Sequence, residues 1–562
     1  MSWLDRSHSV APQNFNRWLI PPAALAVHLC IGQAYATSVY KTALVEHFGA
    51  SLTEIGVIFS IAIVMLGLSA AVMGTWVERS GPRKAMFVAA CFWSAGFLVG
   101  SAGIFSQQLW LVYVGYGLLG GIGLGIGYIS PVSTLMKWFP DRPGMATGMA
   151  IMGFGGGALV ASPLSTRLMR LYDPESGAEG WIPSGEAVGQ LFVTLGVVYF
   201  CFMVYGALTI RVPAEGWRPR GWHPSQAKKS ALVTDNNVSA RSAIRTPQFW
   251  LLWAALFLNV TAGIGILEQA APMIQDFFRA GDGASAVSAA VAGGFVGLLS
   301  IGNMLGRFGW SSASDRIGRK GVYMVFLGAG AVLYTALALV GDTSRLLYIF
   351  LAFVIISFYG GGFATAPAYL KDLFGTYQVG AIHGRLLTAW SAAGIAGPAI
   401  VNGFLDAQGE PGTMMAENYR PVLFTMVALL AVGFAANLLI RPVHERFHEP
   451  PPAGAGDARG AADDRGRELV SSPSAAGDPA AGESAESGSA ESGSAATAAG
   501  GPHRDGPGAK NAGSAADDDR PETDRPETDR AVGRVAFGWL LVGVPLLFGV
   551  WQTLLRVGQL FG

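Results

Sequence analysis

Residues 74–84 read GTWVERSGPRK and residues 311–320 read SSASDRIGRK. The two stretches align at a constant offset of 237 residues, and the alignment preserves an acid, a neighbouring cation and a glycine. The matched positions are Glu78, Arg79, Gly81 and Arg83 in the first stretch and Asp315, Arg316, Gly318 and Lys320 in the second. Pro131 and Pro367 match within one residue of the same offset. A pattern repeated at a fixed spacing indicates two homologous halves.

Apolar segments of membrane-crossing length surround both stretches. Of the 562 residues, 51% are hydrophobic and 14% are charged, too few charges to cover a water-facing surface of this size. About 20 helical residues cross the roughly 30 Å hydrocarbon core of a bilayer. We predict twelve such spans, near residues 18–40, 54–76, 84–104, 110–136, 144–170, 188–210, 248–274, 287–310, 321–341, 345–370, 383–405 and 420–440.

The C-terminal region differs in composition from these spans. Residues 442–533 are dominated by Ala, Gly, Ser, Pro, Asp and Arg, which indicates a disordered linker because little apolar surface is available for burial. Residues 536–555 are again apolar, which predicts a thirteenth span. The predicted organisation is an N-terminus (1–17), a six-helix half (18–210), a central loop (211–247), a second half (248–441), the linker (442–533) and an extra transmembrane helix (534–562).

The predicted loops differ in charge. The loops after spans two, four, six and eight are rich in Lys and Arg, and short loops of this kind remain on the cytoplasmic side. We therefore expect a multi-pass protein of the plasma membrane with a cytoplasmic N-terminus and central loop. The thirteenth span would place the C-terminus outside the cytoplasm.

Several classes of function are not indicated. The formal net charge is zero, which suggests no nucleic-acid partner, and the three cysteines lack the spacing of a metal site. The string GIGLGIG has the spacing of a dinucleotide loop but lies inside a span, and no Walker lysine or nucleophile elbow is present. We expect neither an enzyme nor a cofactor.

The stretch from about 18 to 440 resembles the major facilitator superfamily, whose signature loop matches residues 74–84 and 311–320, with Glu78 and Ser311 as departures. This implies an all-α fold with two six-helix halves and a site between them near the bilayer midplane. The acids of the signature loops would face basic residues and act as a latch between access states. The gating positions are Glu78, Arg79, Gly81, Arg83, Asp315, Arg316, Gly318, Arg319 and Lys320.

Within that superfamily two strings resemble the oxalate/formate antiporter family and the related monocarboxylate transporters. They are YGLLGGIGLGIGYISPVSTLMKWFPDRPGMATG, which begins at Tyr116, and GNMLGRFGWSSASDRIGRKG, which begins at Gly302. The extra C-terminal helix resembles a small subunit that accompanies some of these carriers, and docking of this helix on the twelve-helix body is one expectation for residues 534–562. The resemblance implies transport of small carboxylates across the bilayer, by exchange or with protons.

Arg307 is the first candidate for substrate binding. It lies eight residues before Asp315, or roughly 12 Å of helix inside the span. An ionisable residue at this depth usually faces a cavity or a partner, although a snorkelling or ion-paired structural arginine is the alternative. The repeat places Ala70 at the equivalent position of the other half, so folding of the repeat does not require the cation. In the resembling families an arginine of span eight anchors the carboxylate, and the string from Asn303 to Arg307 matches it.

The oxalate carriers are described with a second cation, a lysine in span eleven, where this sequence has Trp390. One cation favours a monoanion such as formate, pyruvate or lactate over oxalate. Other polar or aromatic candidates for the site are Tyr128, Tyr35 and Gln33.

Three residues are candidates for proton coupling: Glu268, Lys41 and His383. Glu268 would alternatively be a residue of the outer mouth or a counter-charge for Arg307. Lys41 approximately matches a lysine that the monocarboxylate carriers use, and an interfacial anchor is its alternative role. For the whole chain the alternative function is a transporter-like sensor or assembly subunit whose tail docks a partner.

Overall fold

The computed structural model describes residues 2–173, 182–219, 221–222, 232–234, 236–279, 287, 289–408, 414–449 and 525–557. These residues form an all-α membrane protein, in which the only β-pairing described is an isolated bridge between Val10 and Val212. Most of the predicted linker lies outside the described residues, so its predicted disorder stays a prediction. We number the helices so that each number is that of the predicted span.

The first half contains six helices. Helix α1 runs through Ile20–Ile31, continues as a 3-10 segment at Gly32–Ala36 and ends with Ser38–Phe48. The others are α2 (Leu52–Ser80), α3 (Pro82–Phe105), α4 (Leu109–Trp138), α5 (Pro143–Tyr172) and α6 (Gly185–Thr209). Tyr113–Gly120 within α4 is π-helical.

The second half repeats this plan after the short helix Ala240–Ala243. Its helices are α7 (Pro247–Phe277), α8 (Ala289–Ile317), α9 (Arg319–Thr343), α10 (Arg345–Phe374), α11 and α12 (Ala416–Leu439). Helix α11 is broken into α11a (Val379–Leu386) and α11b (Thr388–Asp406), and Val325–Ala329 within α9 is π-helical.

The extra helix, α13, spans Arg525–Val557 and begins nine residues before the predicted start at 534. The sequence at this start contains a proline and an acid, residue types that favour helix N-termini. Eleven of the described helices are long and apolar enough to cross a membrane. Helices α8 and α11 complete the set of thirteen: α8 carries several polar side chains, and α11 is divided at Leu387.

The two halves meet mainly where α5 packs on α8 and where α2 packs on α11. Both contacts depend on glycine, because a Cβ at Gly148 would stand 2.9 Å from the carbonyl oxygen of Arg307. The equivalent Gly384 of α11a lies against the carbonyl oxygen of Ala70 in the same way. Small residues allow membrane helices to approach closely. The pseudo-symmetry inferred from sequence thus extends to the interface, and it places Arg307 on the α5–α8 seam.

Candidate functional site

Arg307 is fully buried near the middle of α8, where the two halves meet. Its Nε donates to Oδ1 of Asn303, one turn earlier, at 2.9 Å. Its Nη1 donates weakly to the Ile151 carbonyl of α5 at 3.4 Å. Its Nη2 has no hydrogen-bond partner among the described residues. The guanidinium is thus oriented from within its own helix, with one terminal nitrogen left unused.

The charge of Arg307 is not neutralised by a side chain of the described structure, where no acid lies within ion-pairing distance of it. The side chain does not snorkel either, because it is fully buried. Its carbon Cζ lies 5.2 Å from the ring centre of Phe363 and 5.6 Å from that of Phe154. Aromatic faces stabilise a buried cation in part but do not replace an anionic partner.

Trp390, on α11b, closes the aromatic surround of the site. Its ring centre lies 4.4 Å from Phe363, 5.3 Å from Phe154 and 5.6 Å from Tyr128, and the side chain is 1% exposed. Phe154 is its counterpart in the repeat, 236 residues earlier. The place where the resemblance leads one to expect a second cation therefore holds a packed indole.

Two predicted tyrosines lie in the same cluster. The Tyr35 ring centre lies 5.1 Å from that of Phe154, and its hydroxyl lies 3.3 Å from that of Tyr359 in the other half. Tyr128 is fully buried, and its ring centre lies 5.5 Å from that of Phe154. Both can offer an O–H to a bound anion.

Two histidines flank Tyr128 on α1 and α11a. His28 stacks on the Tyr128 ring at 5.2 Å, and a ring nitrogen lies 3.2 Å from the Tyr128 carbonyl. His383, a predicted proton-coupling residue, has its ring centre 5.9 Å from that of Tyr128. Both histidines are buried and border the Arg307 cluster through Tyr128.

Three predicted residues are not brought to Arg307 by the described contacts. Gln33 bonds to Tyr40 and to Tyr116, inside the first half. Lys41 is half-buried and faces Gly56 at the start of α2, a position that fits its alternative role as an anchor. Glu268 lies on α7, but its side chain is outside the described residues.

The two signature-loop acids form equivalent contacts at one end of the molecule, which we call the basic-loop end. Asp315, at the end of α8, accepts hydrogen bonds from the backbone nitrogens of Gly144 and Met145 at 2.8 and 2.9 Å. Glu78, at the end of α2, accepts one from the Gly380 nitrogen at 3.2 Å. Gly144 and Gly380 lie in the first turns of α5 and α11a, where free N–H groups and the helix dipole favour an anion. Each acid therefore ties its own half to the opposite half.

The cations beside these acids differ from expectation in one case. Asp315 pairs with Arg319 of its own loop at 2.6 Å, as the sequence suggested. Glu78 instead pairs with Lys137 at the end of α4, at 2.8 Å, because the position equivalent to Arg319 is Pro82, and Arg83 donates to the Trp3 carbonyl. Ser311, where the family signature has glycine, has its hydroxyl within hydrogen-bond distance of the Gly144 and Ala364 carbonyls, so it lies beside the Asp315 contact.

The other residues predicted for gating lie in or beside the same two loops. Gly81 and Gly318 adopt φ values of 85° and 92°, which favour glycine and let each loop turn between two helices. Lys320 donates to the carbonyls of Leu438 and Ile440. Arg79 and Arg316 are exposed.

Sequence reasoning missed Phe154, Tyr359 and Phe363. Each adjoins a glycine run, in the strings GFGGGA and FYGGGFA. Glycine on one side of a helix allows a neighbour to approach and directs the adjoining aromatic ring into the interface. That pattern, together with the repeat of Phe154 and Trp390, was the available signal.

Two related helical halves and a buried cation between them, which has no acidic partner among the described residues, are typical of a membrane transport protein. A profile of the Major Facilitator Superfamily matches residues 23–398 and, in a second overlapping match, residues 285–555. The chain belongs to the Major Facilitator Superfamily.

Individual relatives agree with this assignment. The oxalate:formate antiporter of Oxalobacter formigenes is 28% identical over 392 residues, which cover 68% of this chain and 83% of the relative. Apicoplast pyruvate carrier 1 of Toxoplasma gondii is 24% identical over 357 residues, covering 56% of this chain and 63% of the relative. The fucose:proton symporter FucP of E. coli matches with a TM-score of 0.54 at 16% identity, over 76% of this chain and 100% of that one, and shows a shared fold.

Proposed function

We propose that the protein is a secondary active transporter of small monocarboxylates, and that Arg307 binds the carboxylate. The observation that carries the proposal is the buried guanidinium, which lacks an acidic partner among the described residues. A charge at the centre of a bilayer costs about 2.5–3.5 kcal/mol on insertion scales. A bound anion would offset this cost, and the planar guanidinium matches a carboxylate.

The balance of charge supports a monoanion. A monocarboxylate beside Arg307 leaves the cluster neutral, whereas oxalate would leave one unpaired negative charge among Trp390, Phe154 and Phe363. Desolvating an unpaired charge in such an environment is unfavourable. The names of two relatives contain oxalate, formate and pyruvate, which supports a small carboxylate as the solute. Trp390, which stands where a second cation is expected, supports a monoanion over a dianion.

The cycle that we propose is alternating access. Substrate can reach a buried Arg307 only if the halves separate at one end, and the hydrogen bonds of Glu78 and Asp315 to the opposite halves support a role for these acids as latches of the basic-loop end. Their release would open that end. The Lys and Arg distribution supports a cytoplasmic position for it, in a plasma membrane.

Exchange and proton coupling make different predictions. In an exchanger the empty cationic site crosses poorly, so uptake needs a carboxylate on the opposite side. In a symporter a protonatable residue such as His383 or Glu268 titrates during the cycle, and a pH gradient alone drives uptake. We favour exchange because the described structure supplies Arg307 with no acid that could neutralise it in the empty state.

The test is counterflow in proteoliposomes with labelled formate, pyruvate, lactate and oxalate, with and without a pH gradient. We expect exchange of the monocarboxylates in the wild type and its loss in Arg307→Ala. Arg441→Ala, which removes an exposed arginine beyond α12, is the matched control. Full uptake of every carboxylate by Arg307→Ala would refute the site assignment.

A further inference from the structure

One face of helix α13 packs on helices of both halves. Gly538 lies against Pro22 of α1, Val542 is buried with Leu25 and Ala26, and Leu546 adjoins Gly156 of α5. Further along, Val550 joins a cluster of Leu159, Ile301 and Met304, and Thr553 faces Gly297 of α8. The contact positions of α13, residues 538, 542, 546, 549, 550 and 553, fall three or four apart or adjacent, which places them on one side of the helix.

Three glycines make the approach close. A Cβ at Gly549 would overlap the Leu159 carbonyl, one at Gly156 would stand 2.8 Å from Leu546, and one at Gly297 would stand 2.6 Å from Thr553. Small residues at helix crossings are how helices associate specifically within lipid. The opposite face of α13, including Leu540, Leu547 and Trp551, is exposed. The packed face is therefore shaped for these helices, while the other is suited to lipid.

The location of the packed face gives it a mechanical role. Leu159 belongs to α5 and the first half, whereas Ile301 and Gly297 belong to α8 and the second half. Gly297 lies 18 residues before Asp315, or about 27 Å along α8 from the latch. Met304, one turn before Arg307, touches both Gly156 and the α13 cluster.

We propose that α13 is a clamp in cis: it covers the lipid side of the α5–α8 seam and restrains separation of these helices at the end remote from the basic loops. The latch residues hold one end of the seam, and α13 holds the other. Opening the remote end requires that α13 lose its contacts with one of the two helices. The inference requires that the halves move, but it does not depend on which solute is carried.

The first experiment tests docking. In a variant whose native Cys30, Cys91 and Cys201 are replaced by serine, Gly297→Cys and Thr553→Cys should form a disulfide. The Cβ of Thr553 stands 3.4 Å from the position of a Cβ at Gly297, near the ordinary disulfide separation of about 3.5–4.5 Å. After cleavage at a protease site inserted in the linker, α13 should stay attached to the body until a reductant is added. Release without a reductant under oxidising conditions would overturn the proposal.

The second experiment tests the clamp without any substrate. Ala161→Cys, packed beside Ala36 and Tyr35 between the site and the remote end, reports opening by its rate of labelling with a membrane-impermeant thiol reagent. Gly549→Val should displace α13 from Leu159 and raise that labelling rate roughly fivefold or more, a factor at the lower end of those found for allosteric coupling. Gly543→Val is the control, because no atom lies within 4 Å of a Cβ at Gly543.

Deletion of residues 525–562 removes α13 altogether, so its effect does not depend on how the helix adjusts to valine at position 549. The deletion should accelerate labelling of Ala161→Cys as Gly549→Val does. Monodispersity in detergent shows that the body is folded. Equal labelling rates in the wild type, Gly549→Val and the deletion would overturn the clamp even if the disulfide forms. Because labelling needs no substrate, this failure is distinguishable from a failure of the carboxylate proposal, which counterflow measures.

Discussion

The guanidinium of Arg307 lies against Gly155 of the opposite half, and a Cβ at Gly155 would stand 3.0 Å from its Nε and 3.1 Å from its Cδ. The second half thus supplies the charged side chain, and Gly155 of the first half leaves the space that this side chain occupies. The repeat counterpart of Gly155 is Ser391, whose hydroxyl lies within hydrogen-bond distance of the Ile63 and Val64 carbonyls opposite Gly67, and in that seam Ala70 stands at the position equivalent to Arg307. The site is therefore an asymmetric use of a symmetric interface.

This contact predicts that Gly155→Ala weakens carboxylate binding. The added methyl group must displace the Arg307 side chain, whose Nε is already fixed by Asn303. We expect an increase in Kd of roughly tenfold, about 1.4 kcal/mol, measured for formate or pyruvate by isothermal titration. Gly403→Ala, at an exposed glycine with no atom within 4 Å of its Cβ, should bind as the wild type does. Equal affinity in both variants would contradict the stated role of Gly155.

The indole of Trp390 predicts how the choice of anion can be changed. Trp390→Lys places a second cation near Arg307, so binding of oxalate should improve relative to formate. Trp390→Phe keeps an aromatic ring and adds no charge, so it should leave the oxalate-to-formate ratio close to that of the wild type. Competition of each anion with labelled formate measures this ratio. An unchanged ratio in Trp390→Lys would contradict the argument that a second charge is lacking.

The hydrogen bonds of Asp315 predict that its substitution affects opening of the basic-loop end. The Asp315 carboxylate accepts hydrogen bonds from two backbone nitrogens and from Arg319, and Asp315→Asn removes the negative charge that strengthens them. Hydrogen bonds to charged groups contribute about 1.5–3 kcal/mol each. The basic-loop end should open more often. Labelling of Ala146→Cys, a fully buried position on α5 beside the latch, should accelerate.

The matched control for the latch is Asp342→Asn. Asp342 forms an exposed ion pair with Arg420 at 3.8 Å, and such pairs contribute about 0–1 kcal/mol. The labelling rate of Ala146→Cys should be the same with Asp342→Asn as without it. Slow labelling of Ala146→Cys in the Asp315→Asn background would show that the acid does not hold this end closed.

The sequence predicted the two halves and the extra helix, and it named Arg307, Asn303, Trp390, Tyr128 and Tyr35 as candidates for substrate binding, a role that stays a prediction. These predictions were possible because apolar length, repeated loops and a charge inside a span are local signals. The partner of Glu78 was predicted wrongly, and Phe154 and Tyr359 were missed, because their roles depend on which helices of opposite halves touch. Helix periodicity contains no such information. The break in α11 and the π segment of α4 were likewise not predicted, since both arise in helices whose packing is tertiary.

The most direct measurement of the central claim is the formate affinity of wild-type protein, Arg307→Lys and Arg307→Ala, each purified and shown to be monodisperse. Lysine keeps the charge but loses the planar fork, so Arg307→Lys should bind more weakly than the wild type, and Arg307→Ala should show no saturable binding. Wild-type affinity in Arg307→Ala would contradict the account, because the carboxylate would then be bound elsewhere.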